Sequence, residues 1–302
     1  MESIIDEIDK IYHKLKNKTG GKNASYIPEL KKVNPKLYGI SIYTVNGDEY
    51  NIGDCNKEFA LESCAKVFTL ALALQTFGIK ELQKKIGENK TIYKFNSVTA
   101  FEQHKTHTIN SFHNGGAMAT TSLLYDKNLK KFEKKILNNV NDFAGRKLHI
   151  DYKIYKSEFE NVDHNYAIAY LLKSYNRFYG DVQSTVDVYT RQSSIMATTK
   201  DLAVMGATLA NKGINPKTNK KIIDKKYVDY ILKHMEHHGM YEESEYLFDY
   251  INIPSKSGVS GFLLLVVPGV MGIGIVSPPL NKHGNSVKGI KTAQLISNFL
   301  KI

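Results

Sequence analysis

Residues 61–74 read Leu61-Glu62-Ser63-Cys64-Ala65-Lys66-Val67-Phe68-Thr69-Leu70-Ala71-Leu72-Ala73-Leu74 and follow an acidic, polar turn. The density of apolar residues predicts a helix that is enclosed on most sides. Ser63 and Lys66 are three residues apart, so they share one face of its first turn. Because a buried ammonium is costly, Lys66 must be solvated, be paired, or have a lowered pKa that makes it a base.

A serine beside a basic lysine at the start of a helix is typical of S-x-x-K acyl enzymes. Taken alone the pattern is weak, since it arises by chance in many chains and a solvent-facing lysine is the simpler interpretation. A second polar signature, Lys256-Ser257-Gly258, stands just before an apolar strand pattern. S-x-x-K early and K-[ST]-G late, in this order, are the two motifs that frame the penicillin-recognising serine enzymes.

Composition restricts the class of protein. The chain has 302 residues, 42% hydrophobic and 24% charged, which suits an ordinary globular protein with a substantial core. A formal charge of +11 suggests nucleic acid, but the lysines are scattered and only three arginines occur. We therefore expect no nucleic-acid partner and, without a long apolar run, no membrane span. Two cysteines and no basic-apolar leader favour a cytoplasmic location.

Strand patterns occur at both ends of the chain, with helical periodicity between them. An Asn46-Gly47-Asp48 turn predicts a hairpin from Leu37 to Gly53. The predicted elements are a first helix over Ser3–Lys16, strands over Leu37–Val45, Glu49–Gly53, Phe262–Val267 and Met271–Val276, and a closing helix over Val287–Leu300. We expect one catalytic domain over 1–302, whose sheet-containing part is 1–78 and 194–302 and whose inserted, mainly helical lobe is 79–193.

The fold class that follows is α/β (α+β), like that of β-lactamases and penicillin-binding proteins. It has a central antiparallel sheet flanked by helices, with the helical lobe inserted. A metal is not expected: His234, His237 and His238 lie near the end of one predicted helix, but no H-E-x-x-H motif is present. We interpret these histidines as solvated helix-end residues, which also suit the helix dipole.

The sequence resembles the serine-dependent glutaminases over nearly all of residues 22–302. The family's motifs appear in order and are specific enough to separate it from the β-lactamases. They are Tyr26–Leu30, Ser63–Lys66, Asn110 with Asn114–Ala117, Ser157–Glu158 with His164–Asn165, Asp187–Tyr189, Leu209–Gly213 with Asn215–Pro216, Gly239–Tyr241, Pro254–Val259, Ser277–Leu280 and Gly284–Gly289.

The resemblance implies hydrolysis of L-glutamine to glutamate and ammonia, without a cofactor. Ser63 would be the nucleophile and Lys66 the base that takes its proton. Tyr241 resembles the tyrosine that shuttles protons to the leaving ammonia. The backbone N–H groups of Ser63 and Val259 would form the oxyanion hole.

The same resemblance implies how the amino-acid part of the substrate is held. Glu158 and Tyr26 would meet the α-amino group, and Asn114 would meet the α-carboxylate. Asn165 and Tyr189 would complete the pocket. A zwitterionic ligand needs an anion and several neutral donors, and this set supplies both. Family members are dimers or tetramers, so we expect a homodimer or homotetramer.

The chain departs from the family pattern in a few places. Glu62 stands where a glutamine is usual, Phe262 where a glycine is usual, and residues 242–245 replace a small Ser-Gly stretch. Three alternatives stay open at this point. They are an amidase with a different amide substrate, a non-catalytic glutamine or glutamate binder with a regulatory role, and a β-lactamase.

Overall fold

A computed structural model describes residues 2–91, 93–102 and 106–302. Its helices are α1 (Glu2–Leu15), α2 (Pro28–Lys31), α3 (Ala65–Lys85), α4 (Asn114–Leu123), α5 (Leu129–Ala144), α6 (Tyr152–Phe159), α7 (Asp163–Ser174), α8 (Val182–Ser193), α9 (Thr199–Ala210), α10 (Lys225–His238), α11 (Ser244–Ile251) and α12 (Val287–Leu300). The strands are β1 (Gly39–Thr44), β2 (Glu49–Gly53), β3 (Phe59–Ala60), β4 (His149–Ile150), β5 (Ile195–Ala197), β6 (Ser255–Ser257), β7 (Phe262–Val267) and β8 (Met271–Val276).

The central sheet joins the two ends of the chain, as the sequence predicts. Its strand order is β2-β1-β8-β7-β6, and every neighbouring pair is antiparallel. Ile275 of β8 lies between Ile40 of β1 and Leu263 of β7. The predicted hairpin of β1 and β2 is confirmed. The fold class is therefore confirmed, with an antiparallel sheet between helices.

Helix α9 covers one face of this sheet, and two glycines in β8 make the close approach possible. A Cβ on Gly272 would lie 2.1 Å from the backbone nitrogen of Ala207. A Cβ on Gly274 would lie 2.2 Å from the carbonyl oxygen of Thr199. The other face packs its isoleucines against α1 and α12. Alternate residues of β8 thus serve two packing partners, which is the period of a strand.

The start of α3 is fixed by a second, small sheet that the sequence does not predict. Its order is β3-β5-β4, and the Leu61 N–H donates to the carbonyl of Ile195 at 2.8 Å. Strands of two or three residues are too short for a period-2 signal, which explains why they escape sequence reasoning. α3 continues to Lys85 through a kink at Gly78, whose φ of 77° is left-handed.

No helix among residues 2–91, 93–102 and 106–302 is both long and apolar enough to cross a membrane.

Phe262, the departure from glycine noted above, is completely buried and packs edge-on against Phe59 with ring centroids 5.6 Å apart. Its bulk therefore fills the core, where a buried phenylalanine contributes roughly 1.5–3 kcal/mol.

Candidate active site

Ser63 lies in a tight 3-10 turn, Glu62–Cys64, directly before α3. Glu62 has a φ of 48°, a left-handed conformation that is uncommon for a residue with a side chain. Strained backbone of this kind is often found at active sites. The Cys64 thiol donates to the carbonyl of Lys256 at 3.3 Å. This contact holds the S-x-x-K turn beside the K-S-G strand β6, as the two motifs require.

Lys66 is buried, with only 3% of its surface exposed. Its Nζ donates to the Phe112 carbonyl at 2.9 Å and to Asn114 Oδ1 at 2.6 Å. Burial, and then the neighbouring charge of Lys256, hold the pKa of Lys66 well below that of an ordinary lysine. The expectation of a buried lysine is confirmed, and its role as the base stays a prediction. The simpler interpretation, a solvent-facing lysine, is wrong.

Tyr241 lies beside the nucleophile. Its phenol donates to the Ser257 carbonyl at 3.2 Å, and the neighbouring Ser63 side chain opposes the rise in the pKa of Tyr241. Burial raises the pKa of Tyr241, so the phenol is neutral at ordinary pH. Its φ of 54° is also left-handed, which makes it a second strained residue of the site.

Lys256 is a second buried lysine of the site, and its motif alone assigns it no role. It is completely buried, and its Nζ donates to the carbonyls of Gly239 at 3.2 Å and Ser257 at 2.8 Å. It lies 4.7 Å from the centre of the Tyr241 ring. Burial lowers the pKa of Lys256 to about 8. Its positive charge in turn favours the neutral form of Lys66.

Two carboxyl groups face each other beside Lys66. Glu62 is 4% exposed, and its Oε1 is buried without a hydrogen-bond partner among the described residues. Glu158 Oε2 is in the same condition. Burial raises the pKa of Glu158 to about 8, although Lys66 opposes this. Burial and then the proximity of Glu158 raise the pKa of Glu62 well above its usual range. The protonated form of Glu62 is therefore favoured.

The two predicted recognition tyrosines, Tyr26 and Tyr189, differ in how far they are buried. Tyr26 as a whole residue is 54% exposed. Burial of its hydroxyl is the largest cause of its raised pKa, and the nearby Glu62, Tyr241 and Glu158 add to this effect. Tyr189 is buried, and its hydroxyl donates to Asn114 Oδ1 at 3.4 Å.

The two predicted asparagines, Asn114 and Asn165, differ in how they are connected to the site. Asn114 is tied to Lys66 through Oδ1, which leaves its Nδ2 as the group that can donate to a carboxylate. Asn165 lies half-buried in the first turn of α7. It makes no hydrogen bond to the other site residues among those the structure describes.

Val259 follows the point where β6 meets the nucleophile turn. A Cβ on Gly258 would lie 2.8 Å from the Leu61 carbonyl oxygen and 3.3 Å from Cys64 Sγ, so glycine permits the contact. Val259 itself is buried and packs in a small cluster with Tyr241 at its edge.

Residues 242–245, another departure from the family, support the loop that carries Tyr241. Glu242 Oε1 accepts from the Phe95 N–H at 3.2 Å. Glu243 Oε2 accepts from the side chains of Asn281 and Asn285, both at 2.7 Å. These acids thus serve as local structural acceptors beside the site.

The histidines of α10 differ from the sequence interpretation. His234 is 4% exposed, so the prediction of a solvated residue is wrong for it. Burial lowers the pKa of His234 to about 4 and that of His238 to about 3, which keeps both rings neutral. His238 and His237 line a cavity of about 280 Å³ that also borders Tyr241. The amphipathic pattern of α10 could not reveal that the helix packs against α3 or that the Phe112 ring lies edge-on against His234.

Comparisons with known proteins show which family this chain resembles. The family model described as Glutaminase matches residues 21–302. A glutaminase of Colwellia psychrerythraea is 43% identical over 99% of this chain and 96% of its own length. Glutaminase 1 of Escherichia coli K12 is 42% identical over 97% of this chain and 94% of its own.

Solved structures give the same result. A probable glutaminase, ybaS, superposes with a TM-score of 0.97 at 41% identity, covering 99% of this chain and 97% of that one. A probable glutaminase from Bacillus subtilis, solved with 6-diazo-5-oxo-L-norleucine, gives a TM-score of 0.87 at 26% identity, covering 99% and 95%. The neighbours share the penicillin-binding-protein-like fold. With a matching family model over almost its whole length, this chain belongs to the glutaminase family.

Proposed function

We propose that this protein hydrolyses L-glutamine to L-glutamate and ammonia through a γ-glutamyl ester on Ser63. The observation that carries the proposal is the position of Ser63, beside Tyr241 and one turn before a buried Lys66 whose pKa is lowered. Family membership supports the reaction itself. The covalent route rests on the residues, because a nucleophile, a base and a proton relay are adjacent.

In the first step the Ser63 oxygen bonds to the side-chain amide carbon of glutamine, and its proton passes to Lys66. The negative charge that develops on the amide oxygen is stabilised by the backbone N–H groups of Ser63 and Val259, worth roughly 3–4 kcal/mol per donor. The C–N bond then breaks. Tyr241 gives its proton to the departing nitrogen and is reprotonated from Lys66, so ammonia leaves and a neutral Lys66 remains.

In the second step water adds to the ester carbon and gives its proton to Lys66. The bond to Ser63 breaks, the serine oxygen recovers that proton, and glutamate leaves. Lys66 must be neutral at the start of both steps, which its buried position favours. Lys256 assists by its charge, without contact with the reacting atoms.

The amino-acid end of glutamine is placed at the carboxyl pair. An ammonium group brought beside Glu158 would favour the ionised form of that carboxyl, supplying the partner that Oε2 lacks. Tyr26, Tyr189, Asn165 and the free Nδ2 of Asn114 complete the recognition of the α-carbon. Only amides that carry both α-groups would use all these contacts.

Ser63→Ala is the direct test. The variant keeps the fold but lacks the nucleophile, so ammonia release from glutamine should fall by on the order of 10⁴-fold or more. Ser174→Ala, at the exposed end of α7, is the matched control and should keep normal turnover. Turnover retained in Ser63→Ala would overturn the covalent route.

Three further measurements decide between the other candidate functions. A panel of asparagine, γ-glutamyl amides and glutamine identifies an amidase of different specificity, and a chromogenic lactam identifies a β-lactamase. A regulatory binder would show stabilisation by glutamine or glutamate with no release of ammonia. We favour the enzyme, since Ser63 lies one turn before Lys66 and beside Tyr241.

Three organisational expectations remain proposals. We propose a homodimer or homotetramer in solution, which sedimentation velocity would measure. We propose a helical lobe over 79–193 inserted in the sheet-containing part, with the kink of Gly78 next to the proposed boundary. We propose a cytoplasmic location, supported by two cysteines that are both buried and free.

A further inference from the structure

A large basic cavity lies apart from the Ser63 site. It has a volume of about 600 Å³ and is formed where the segment after α1 meets the start of α12. Its charged lining consists of Lys16, Lys18, Lys36 and Lys288, and no acidic residue lines it. A volume of this size is within the range of small-molecule sites.

The four ammonium groups have no counter-ion of their own. Within residues 2–91, 93–102 and 106–302, none of the four forms an ion pair with an acidic side chain. Lys288 is the most deeply buried of the four, with 6% of its surface exposed. Its Nζ donates to the Lys16 carbonyl at 3.0 Å and lies 5.0 Å from the centre of the Tyr38 ring. A buried cation held only by a carbonyl and a ring gains from an added anion.

Other groups in the wall favour a negative ligand. Helix α12 has 14 residues, and its first residue, Val287, lines the cavity, so the positive end of the helix dipole lies there. Thr19 and Asn17 add neutral polar groups to the same wall. Gly20 and Gly21, both with left-handed φ, bring backbone into the same wall.

We propose that this cavity binds a small molecule through a phosphate group. A phosphate dianion matches a cavity lined by four lysines and by no carboxylate, with a helix N-terminus in its wall. Tyr12, Pro35 and Pro279 provide apolar wall beside the charged part, against which the organic portion of a phosphate ester can pack.

This site is independent of glutamine hydrolysis. None of the residues that line it belongs to the set assigned to Ser63 chemistry. Lys16 and Lys18 precede residue 21, where the match to the family model begins, whereas Val287 and Lys288 belong to one of the family's motifs. The isolated Gly20-Gly21-Lys22 string is not a phosphate loop by sequence, because the rest of that motif is absent. The cavity instead assembles its groups from separate parts of the chain.

The test is calorimetric titration of the full-length protein with inorganic phosphate and, in parallel, with adenosine monophosphate. Ionic strength is held constant, and saturating glutamate occupies the Ser63 site. We expect saturable binding of one ligand per chain. Lys18→Ser with Lys36→Ser, two exposed positions, should weaken it by about tenfold or more, since 1.4 kcal/mol of lost charge interaction is a factor of ten.

The matched control is Lys130→Ser with Lys131→Ser, which removes the same charge from the exposed surface of α5. Its affinity should equal that of the unmodified protein. Circular dichroism of each variant without ligand verifies that the fold is kept.

Each outcome has a clear meaning. Tighter binding of phosphate assigns the cavity to the free ion, and tighter binding of the nucleotide assigns it to a phosphate ester. The absence of saturable binding of either probe overturns the proposal. Equal weakening in the Lys18/Lys36 and Lys130/Lys131 variants also overturns it, because the effect would then be one of net charge alone.

Discussion

Glu62 combines a left-handed backbone, deep burial and a carboxyl oxygen without a partner, one residue before the nucleophile. Its side chain cannot be an unpaired anion there, because an isolated buried charge costs far more than protonation at neutral pH. Burial and Glu158 raise its pKa well above the usual range, which favours the neutral acid. The nucleophile turn thus tolerates an acid where the family pattern has an amide.

Glu62→Gln tests this protonation. The wild-type group is neutral below its raised pKa and gains a charge as pH rises through that value. At pH 7 the variant should therefore release glutamate within about threefold of the wild-type kcat/KM, a difference below 1 kcal/mol. As pH rises the two profiles should separate, since only the wild type gains a second anion beside Glu158. A large loss at neutral pH that does not vary with pH would contradict the prediction.

At this scale the sequence predicts the chemistry of residues better than their partners. The burial of Lys66 follows from the apolar helix that contains it, so its lowered pKa can be foreseen. The contacts of Asn114 with Lys66 and of Lys256 with Gly239 cannot, because they join segments apart in sequence. They depend on the exact approach of separate elements, which no local pattern encodes.

At the scale of elements, the contact between β6 and the nucleophile turn determines the geometry of the site. Gly258 is the residue that allows it, and the Cys64–Lys256 hydrogen bond holds it in place. The β7–β8 hairpin supports this edge, and its two apolar runs around a Pro-Gly turn make it predictable. The short strands β3, β4 and β5 are not predictable, although they position the start of α3.

Gly258→Ala tests the importance of this contact. The new Cβ would lie 2.8 Å from the Leu61 carbonyl oxygen, which forces β6 away from Ser63. A displacement of about 1 Å at reacting groups can cost about 10²-fold in rate, and we expect a loss of kcat/KM of that order.

Gly47→Ala is the control for this change. Gly47 lies in the open β1–β2 turn with a φ of +95°, and a Cβ added there would meet no atom within 4 Å. Alanine at this position should lower the free energy of unfolding by about 1–2 kcal/mol through backbone strain, with normal activity. Normal activity in Gly258→Ala as well would show that the close contact is not needed.

At the scale of the whole molecule, both chain ends build one sheet and the intervening helices complete a site on it. This arrangement is predictable because strand and helix periodicities separate cleanly along the sequence. The basic cavity is not predictable, because its lysines come from the end of α1, a loop and α12 and look scattered in sequence. The sequence suggests that the many lysines lie on the solvated surface, but Lys288 is buried.

The covalent γ-glutamyl-Ser63 intermediate is tested most directly by partitioning between water and hydroxylamine. Glutamine and γ-glutamyl methylamide are turned over separately at one fixed hydroxylamine concentration, and glutamate and γ-glutamyl hydroxamate are measured. A common acyl-enzyme has lost its leaving group, so both substrates should give the same product ratio. A ratio that differs between the two substrates, or hydroxamate formed at the same rate by Ser63→Ala protein, would contradict the intermediate.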